Sequence, residues 1–230
     1  MNHYSFSLAL APVCPDAALK HKKLLEPLGE IIEFTAKQTV CDLQESLDCV
    51  FMLLTGKTSH FITDGVDEKL LFQLTPGRIF GNLCPSEGKA YPIRAVALEK
   101  TVVLRIPRAK YLELLRSDAA FALDMMDMHA DYTKYLLHEL DNLSFKSCKL
   151  RLMRIYCTQV DLKRVEDGKW YTLASKLTHN ELAAVVGSAR VTISKLINEL
   201  CEDGFIRIIN RRAQVSVEAY EKFLAEQSEN

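Results

Sequence analysis

No two cysteines of this 230-residue chain stand at C-x-x-C spacing, although there are seven: Cys14, Cys41, Cys49, Cys84, Cys148, Cys157 and Cys201. An odd number without that pairing speaks against a disulfide framework and suits mostly buried thiols in a reducing cytoplasm. The six histidines (His3, His21, His60, His129, His138 and His179) show neither H-x-H nor H-E-x-x-H spacing, so no metal site is expected. Glycine and proline are scarce, at 9 and 7 residues, which excludes fibrous and low-complexity chains. No apolar run is long enough to span a bilayer, and no membrane association is expected. In residues 1–15 no Lys or Arg precedes the apolar run, and Pro12 and Pro15 interrupt it, so no signal peptide is expected. A phosphate-binding loop and a nucleophile–base motif are absent as well. That weakens one reading of the chain, a jelly-roll enzyme with an accessory C-terminal domain, and no cofactor is expected.

A charge of one sign is also missing: the formal net charge is −1, with 48% hydrophobic and 26% charged residues, as in an ordinary soluble globular protein. The balance hides two unlike parts. Residues 1–145 hold 15 Lys and Arg against 19 Asp and Glu, whereas residues 146–230 hold 14 against 11. A mildly basic C-terminal part leaves a nucleic-acid partner open without demanding one.

What is present changes character along the chain. From Gly29 to about Ile106, short β segments alternate with turn signals. Cys49–Leu54 ends at Thr55-Gly56, Lys57–Thr63 leads to the hairpin cue Asp64-Gly65, and Lys69–Leu74 stops at Thr75-Pro76-Gly77. Arg94–Leu98 and Thr101–Ile106 complete the series, and so many short strands imply a sandwich or barrel. From Arg108 to about Leu143 there is neither Gly nor Pro, and the spacing is helical. Ala122, Met126, His129, Thr133, Leu136, Leu140 and Leu143 make one stripe; Phe121, Met125, Met128, Tyr132 and Tyr135 make a second beside it. Such a helix is either wholly a core element or covers its sheet with one stripe and pairs with a second copy through the other. Lys149–Tyr156 begins a further helix, and Glu166–Lys169 reads as a turn before a strand at Trp170–Leu173.

The most informative stretch is Leu177–Leu200. Thr178 and Glu181 form a T-x-x-E capping box that opens a short helix. Gly187 supplies a tight turn, and Ser188 is placed to cap the next helix. There Ile193, Leu196, Ile197 and Leu200 fall at i, i+3, i+4 and i+7 and must face a core. Arg190, Val191, Ser194, Lys195 and Asn198 remain outside. This is either a plain αα-hairpin or a helix-turn-helix whose second helix enters the DNA major groove. Arg190 suits a guanine, Lys195 a base or phosphate, and Val191 a thymine methyl. The following Phe205–Ile209, Asn210-Arg211-Arg212 and Ala213–Val217 read as a hairpin with a basic tip, a wing whose arginines suit phosphates. Helix pair and wing together favour the DNA-binding reading. The residues expected at DNA are Ser188, Arg190, Val191, Thr192, Ser194, Lys195, Arg211 and Arg212.

The order of roll, long helix and winged helix, with Thr75–Leu83 in the roll and Leu182–Phe205 in the last part, resembles the CRP/FNR family of bacterial transcription regulators. The resemblance implies an α+β fold: a β-roll effector-sensing domain over 1–108 (a double-stranded β-helix or jelly roll, cyclic-nucleotide-binding-like), a long dimerisation helix over 109–145, and a winged helix-turn-helix over 146–230. It implies a cytoplasmic homodimer that binds a palindromic site in double-stranded DNA, responds to a small-molecule effector and acts, as an activator, with RNA polymerase. Departures narrow the effector. Members that bind cyclic nucleotides carry Gly-Glu-Leu and, some ten residues on, Arg-Ser; here Gly81-Asn82-Leu83 and Pro92-Ile93 stand there, with Arg94 displaced by two. Cyclic AMP and cyclic GMP are therefore not expected. Val191 replaces a glutamate with which many members read cytosine, implying a different, A·T-rich target.

Within the family, Gly81–Gly88 and Arg190–Lys195 resemble the subgroup that senses halogenated phenols and activates reductive dehalogenation. Such a ligand needs an aromatic slot and a cation that favours the phenolate. The expected effector residues are Asn82, Leu83, Tyr91, Arg94, His129, Tyr132 and Lys134, each of which equally suits a structural role taken singly. A redox switch through thiols such as Cys14 and Cys201, and a haem or gas sensor using His129 or His138, are the alternatives in the same family.

Overall fold

The computed structural model describes residues 19–42, 48–63, 66–83 and 93–228. The chain divides between Asp141 and Asn142 into two compact units. The Asp64-Gly65 turn, Cys14, Cys84 and Tyr91 lie outside the described residues.

The N-terminal unit begins with a short helix α1 (Lys22–Leu25) and is built from eight strands: β1 (Glu30–Phe34), β2 (Thr39–Cys41), β3 (Cys49–Thr55), β4 (Thr58–Thr63), β5 (Glu68–Leu74), β6 (Ile79–Gly81), β7 (Arg94–Ala97) and β8 (Thr101–Pro107). They form two antiparallel four-stranded sheets, ordered β1-β8-β3-β6 and β2-β7-β4-β5. Two helices follow, α2 (Arg108–Ser117) and α3 (Ala119–Phe145), the second of which runs past the division between the units.

The unbroken apolar run of β3 has a direct cause. Side chains alternate across a strand, and both faces of β3 are covered. Cys49, Phe51 and Leu53 enter one buried cluster with Phe72, Phe80, Val103 and Tyr135, inside the roll. Val50, Met52 and Leu54 enter a second with Tyr111, Leu112, Phe121, Met125 and Met128, beneath the helices. Of the two helical stripes, that of Phe121, Met125, Met128 and Tyr135 is buried, while Met126, Leu136, Leu140 and Leu143 of the other stay exposed beside Leu123 and Leu137.

The stretch from 108 to 145 is not one helix, as the lack of Gly and Pro predicts, but two. Asp118 adopts extended backbone at φ −122°, ψ 101° and its carboxylate accepts from the Phe121 backbone N–H at 2.9 Å. A short carboxylate that satisfies the first free N–H groups of a new helix competes with continuing the old one.

The C-terminal unit contains α4 (Cys148–Thr158), β9 (Val160–Glu166), β10 (Trp170–Leu173), α5 (His179–Val186), α6 (Arg190–Glu202), β11 (Ile206–Ile209), β12 (Arg212–Ser216) and α7 (Val217–Ser228). Its four strands make one antiparallel sheet, ordered β11-β12-β10-β9. Leu152, Ile155, Tyr156, Leu182, Val186, Ile193, Ile197, Leu200, Ile206, Val215 and Phe223 are buried here.

Candidate functional site

In the C-terminal unit, local chemistry sets the helix pair. The Thr178 hydroxyl accepts from the Glu181 N–H at 3.2 Å, and the Glu181 carboxylate accepts from the Thr178 N–H at 2.7 Å, closing the expected capping box. Gly187 ends α5 in the left-handed region at φ 70°, and its N–H and that of Ser188 both donate to the Ala183 carbonyl. An L side chain is disfavoured there. Ser188 does not cap α6 as its spacing suggests: the cap is Ala189, with no side-chain bond, and Ser188 is half-buried. The Ser188 backbone is already held in the turn, which leaves α6 to start one residue later.

Within α6, Ile193, Ile197 and Leu200 are buried and Leu196 is half-buried; Arg190, Val191, Thr192, Lys195 and Asn198 face solvent. Val191 is 66% exposed, an apolar side chain that the protein's own core leaves uncovered. Ser194 differs from its neighbours. Its hydroxyl donates to the Arg190 carbonyl at 3.1 Å and also meets His179 Nδ1 at 2.9 Å, so it belongs to the contact between the two helices.

β11 and β12 pair from Ile206↔Val215 to Ile209↔Arg212, and Asn210 and Arg211 turn the hairpin at φ 51° and 61°. Two consecutive positive φ values define the tight primed turn that matches strand twist. Asn tolerates it well; an arginine there puts a cation at the tip of the wing. Arg190, Lys195, Arg211 and Arg212 make no ion pair among the described residues. Arg207 on the same hairpin is a contrast, bonded to Gln214 at 2.6 Å and Asp167 at 3.2 Å and lying 4.7 Å over the Trp170 ring. A groove of about 940 Å³ runs beside the wing, lined among others by Lys163, Arg164, Lys176, Arg211 and Arg212.

In the N-terminal unit the interior of the roll is aromatic. Phe72 stacks on Tyr132 at 5.5 Å and on His60 at 5.0 Å, Phe80 meets His60 edge-on at 4.9 Å, and Tyr135 meets Phe72 at 5.8 Å. Burial drives the His60 pKa down to about 3, so the ring is neutral. Burial also pushes the Tyr132 and Tyr135 hydroxyls well above the usual phenol range. Tyr132 donates to the Ile79 carbonyl at 3.0 Å, while the buried Tyr135 hydroxyl has no partner among the described residues. Arg78, only 5% exposed, pairs with Asp131 at 3.4 Å and lies over the Tyr132 ring; Lys69 pairs with Glu139 at 3.1 Å.

Of the residues expected at an effector, Tyr132 joins this aromatic set. Asn82 is buried and Leu83 packs against the cluster beneath the helices. Arg94 is held by both oxygens of Glu68 at 2.5 and 2.6 Å and lies over Phe61. His129 is exposed with Nδ1 on the Met125 carbonyl at 2.8 Å, and Lys134 is exposed. Arg78, Asp131, Phe72, His60, Lys69 and Glu139 were not legible as a set: the ion pairs Arg78–Asp131 and Lys69–Glu139 join residues 53 and 70 positions apart. Tyr135 did carry a signal, three residues beyond Tyr132 on the same stripe.

Residues 31–118 match a cyclic nucleotide-binding domain model and residues 151–225 a Crp-like helix-turn-helix domain model. The chain is 30% identical over 201 residues to the cyclic AMP receptor protein of Thermus thermophilus, covering 86% of either chain. Among solved structures it resembles a CooA mutant from Carboxydothermus hydrogenoformans (21% identity, 89% of each chain, TM-score 0.63). It also resembles a CprK variant complexed with OCPA (17% identity, 93% of this chain and 97% of that one, TM-score 0.62). At these identities the two structures speak for the fold.

Proposed function

The chain belongs to the CRP-like family of transcription regulators, and on that premise we propose that it is a homodimeric activator of the following kind. It reads a palindromic, A·T-rich operator in double-stranded DNA and is controlled by a small aromatic effector in its β-roll. The observation that carries the reading is the division of α6: Ile193, Ile197 and Leu200 anchor it, while Arg190, Val191 and Lys195 stand outward beside a wing that ends in Arg211 and Arg212. Arg190 takes guanine, Val191 packs on a thymine methyl, Ser188, Thr192 and Lys195 reach base edges or phosphates, and the wing arginines bind the backbone.

The dimer is supported by the exposed stripe of α3, where Leu123, Met126, Leu136, Leu137 and Leu140 form an apolar face. A second copy of the same helix covers such a face in a self-complementary way. Two-fold symmetry then places the two α6 helices on half-sites about one turn, or roughly 34 Å, apart. As an activator the dimer acts with RNA polymerase.

The aromatic set of Phe72, Phe80, His60, Tyr132 and Tyr135 supports an aromatic effector, and the unpartnered Tyr135 hydroxyl offers it a hydrogen bond. Halogenated phenols are the class we assign, in line with the resemblance of Gly81–Gly88 to the phenol-sensing subgroup. A cyclic phosphate is not favoured, because Lys69, Arg78 and Arg94 already pair with Glu139, Asp131 and Glu68. The sulfur chemistry of a redox switch is not favoured at Cys157 or Cys201, whose thiols burial pushes upward, the former to about 12.

Selection of duplexes from a randomised palindromic pool, with affinity then measured with cyclic AMP, chlorinated phenols or neither, tests the reading. We expect a symmetric A·T-rich site and tighter binding with a chlorinated phenol. Binding without sequence preference overturns the regulator reading, and a response to cyclic AMP alone overturns the effector assignment.

A further inference from the structure

The helix that carries the proposed dimer face runs into the unit that carries the DNA-reading helices. The two compact units divide between Asp141 and Asn142, while α3 continues to Phe145. Only Lys146 and Ser147 then separate α3 from α4.

Directed bonds make this junction stiff. The Lys146 N–H donates to the Asn142 carbonyl at 3.2 Å, and the Ser147 hydroxyl caps α4 by accepting from the Leu150 N–H at 3.2 Å. From α4, Arg154 donates to the Asn142 side-chain oxygen at 2.9 Å. Arg151, half-buried and one turn earlier on α4, reaches two segments at once. Its Nη1 donates to the Lys146 carbonyl at 2.7 Å and its Nε to the Val186 carbonyl at 3.0 Å. Val186 is the last residue of α5, and the left-handed Gly187 after it makes the turn towards α6. Carbonyls at a helix C-terminus lack partners within the helix and form the negative end of its dipole, so a cationic donor suits them. The guanidinium is planar and holds its donors in fixed directions, so one side chain sets the end of α5 against the end of α3.

We propose that Arg151 is a positioning residue for operator reading: by tying the end of α3 to the end of α5, it fixes the half-site spacing that a dimer accepts. The inference rests on the DNA-binding and dimer readings above and adds what sets the spacing. A dimer that pairs through α3 and reads through α6 converts any play between those two helices into play between its half-sites. One base pair added between half-sites moves them apart by about 3.4 Å and turns one against the other by roughly a tenth of a helical turn. A stiff junction rejects that change, and a loose one absorbs it. Glutamine in place of Arg151 is uncharged and too short to reach both carbonyls, so it loosens the junction while leaving Arg190, Val191, Lys195 and the wing as they are.

The test is fluorescence anisotropy of the full-length protein, at fixed salt, with the duplex selected from the random pool, with the same duplex lengthened or shortened by one base pair between half-sites, and with a single half-site. Wild type is expected to bind the two respaced duplexes roughly tenfold more weakly than the selected one. In Arg151→Gln that gap should shrink to about threefold, while the single half-site is bound within about twofold of wild type. Arg151→Lys keeps the charge without the planar fork and should relax the spacing in the same direction; it decides the matter if circular dichroism shows Arg151→Gln unfolded. A spacing preference that survives unchanged in a folded variant overturns the proposal and leaves DNA binding intact. A loss by the same factor on every duplex, the single half-site included, also overturns it, because a phosphate contact or a general loss of stability acts in that way. Wild type indifferent to spacing overturns the dimer reading with it, and failure to bind any duplex overturns the DNA-binding reading.

Discussion

Arg190 and Arg211 are both exposed cations without a carboxylate partner among the described residues, yet their settings predict different losses. Arg190 opens the recognition helix, where a guanidinium can grip one guanine through two bonds. Arg190→Ala should cost about 1–3 kcal/mol on the selected operator and relax preference at one base position, measured by titrating single-base operator variants. A loss equal on every sequence would show a phosphate contact instead. Arg211 tips the wing, so Arg211→Ala should weaken all duplexes alike and lower the slope of log affinity against log salt by about one. His60 makes a prediction about stability. Its folded pKa is depressed to about 3, below the ordinary value of 6.5. The unfolded chain therefore binds the extra proton first as pH falls. Stability should be fully present above about pH 6.5 and drop by about 1.4 kcal/mol per unit towards pH 3. Denaturant unfolding of wild type and His60→Gln across that range should show the smaller pH slope in the variant.

At the scale of elements, α3 joins two tasks on one helix. Phe121, Met125 and Met128 enter the cluster beneath the helices, and Tyr135 enters the interior of the roll. Its other stripe has no cover among the described residues. Leu140→Asp puts a charge into the proposed dimer face at a residue 60% exposed in the monomer. Sedimentation should then show monomers at concentrations where wild type is dimeric, with circular dichroism unchanged. Loss of fold would mean instead that Leu140 packs within its own chain. The turn between α5 and α6 is a second sensitive element. Gly187→Ala forces a Cβ into φ 70° and should cost about 1 kcal/mol or more, read as a lower thermal midpoint of the C-terminal unit.

At the scale of the whole molecule, the near-zero net charge reflects an acidic first part and a basic second part. On the proposed reading, attraction to DNA is local, concentrated in α6 and the wing, and base contacts supply much of the discrimination. What could be read in advance was whatever depends on neighbours in sequence. The Thr178–Glu181 capping box, the left-handed Gly187, the buried face of α6 and the two-stranded wing all formed as their spacing dictates, because each is decided within about one helical turn or one hairpin. The two stripes of α3 were legible for the same reason, since helical periodicity alone separates them. The break at Asp118 was not, because a carboxylate in mid-helix turns away from helix only when its N–H partners at the next start are available. Strands β1, β2 and β9 and helix α7 lacked a signal strong enough to stand alone. The sensor core lay furthest from view. Arg78 finds Asp131 and Lys69 finds Glu139 only because the roll closes against α3. Ser194, outward by periodicity, bonds to His179 only because α5 crosses α6. Sequence by itself determined the helix pair, its capping box and turn, the wing and the buried face of α6, through local hydrogen bonds and the period of the apolar residues. Tertiary structure alone decided which buried charges neutralise one another and which polar groups stay unpaired, because those pairings depend on distances between segments that no local pattern records.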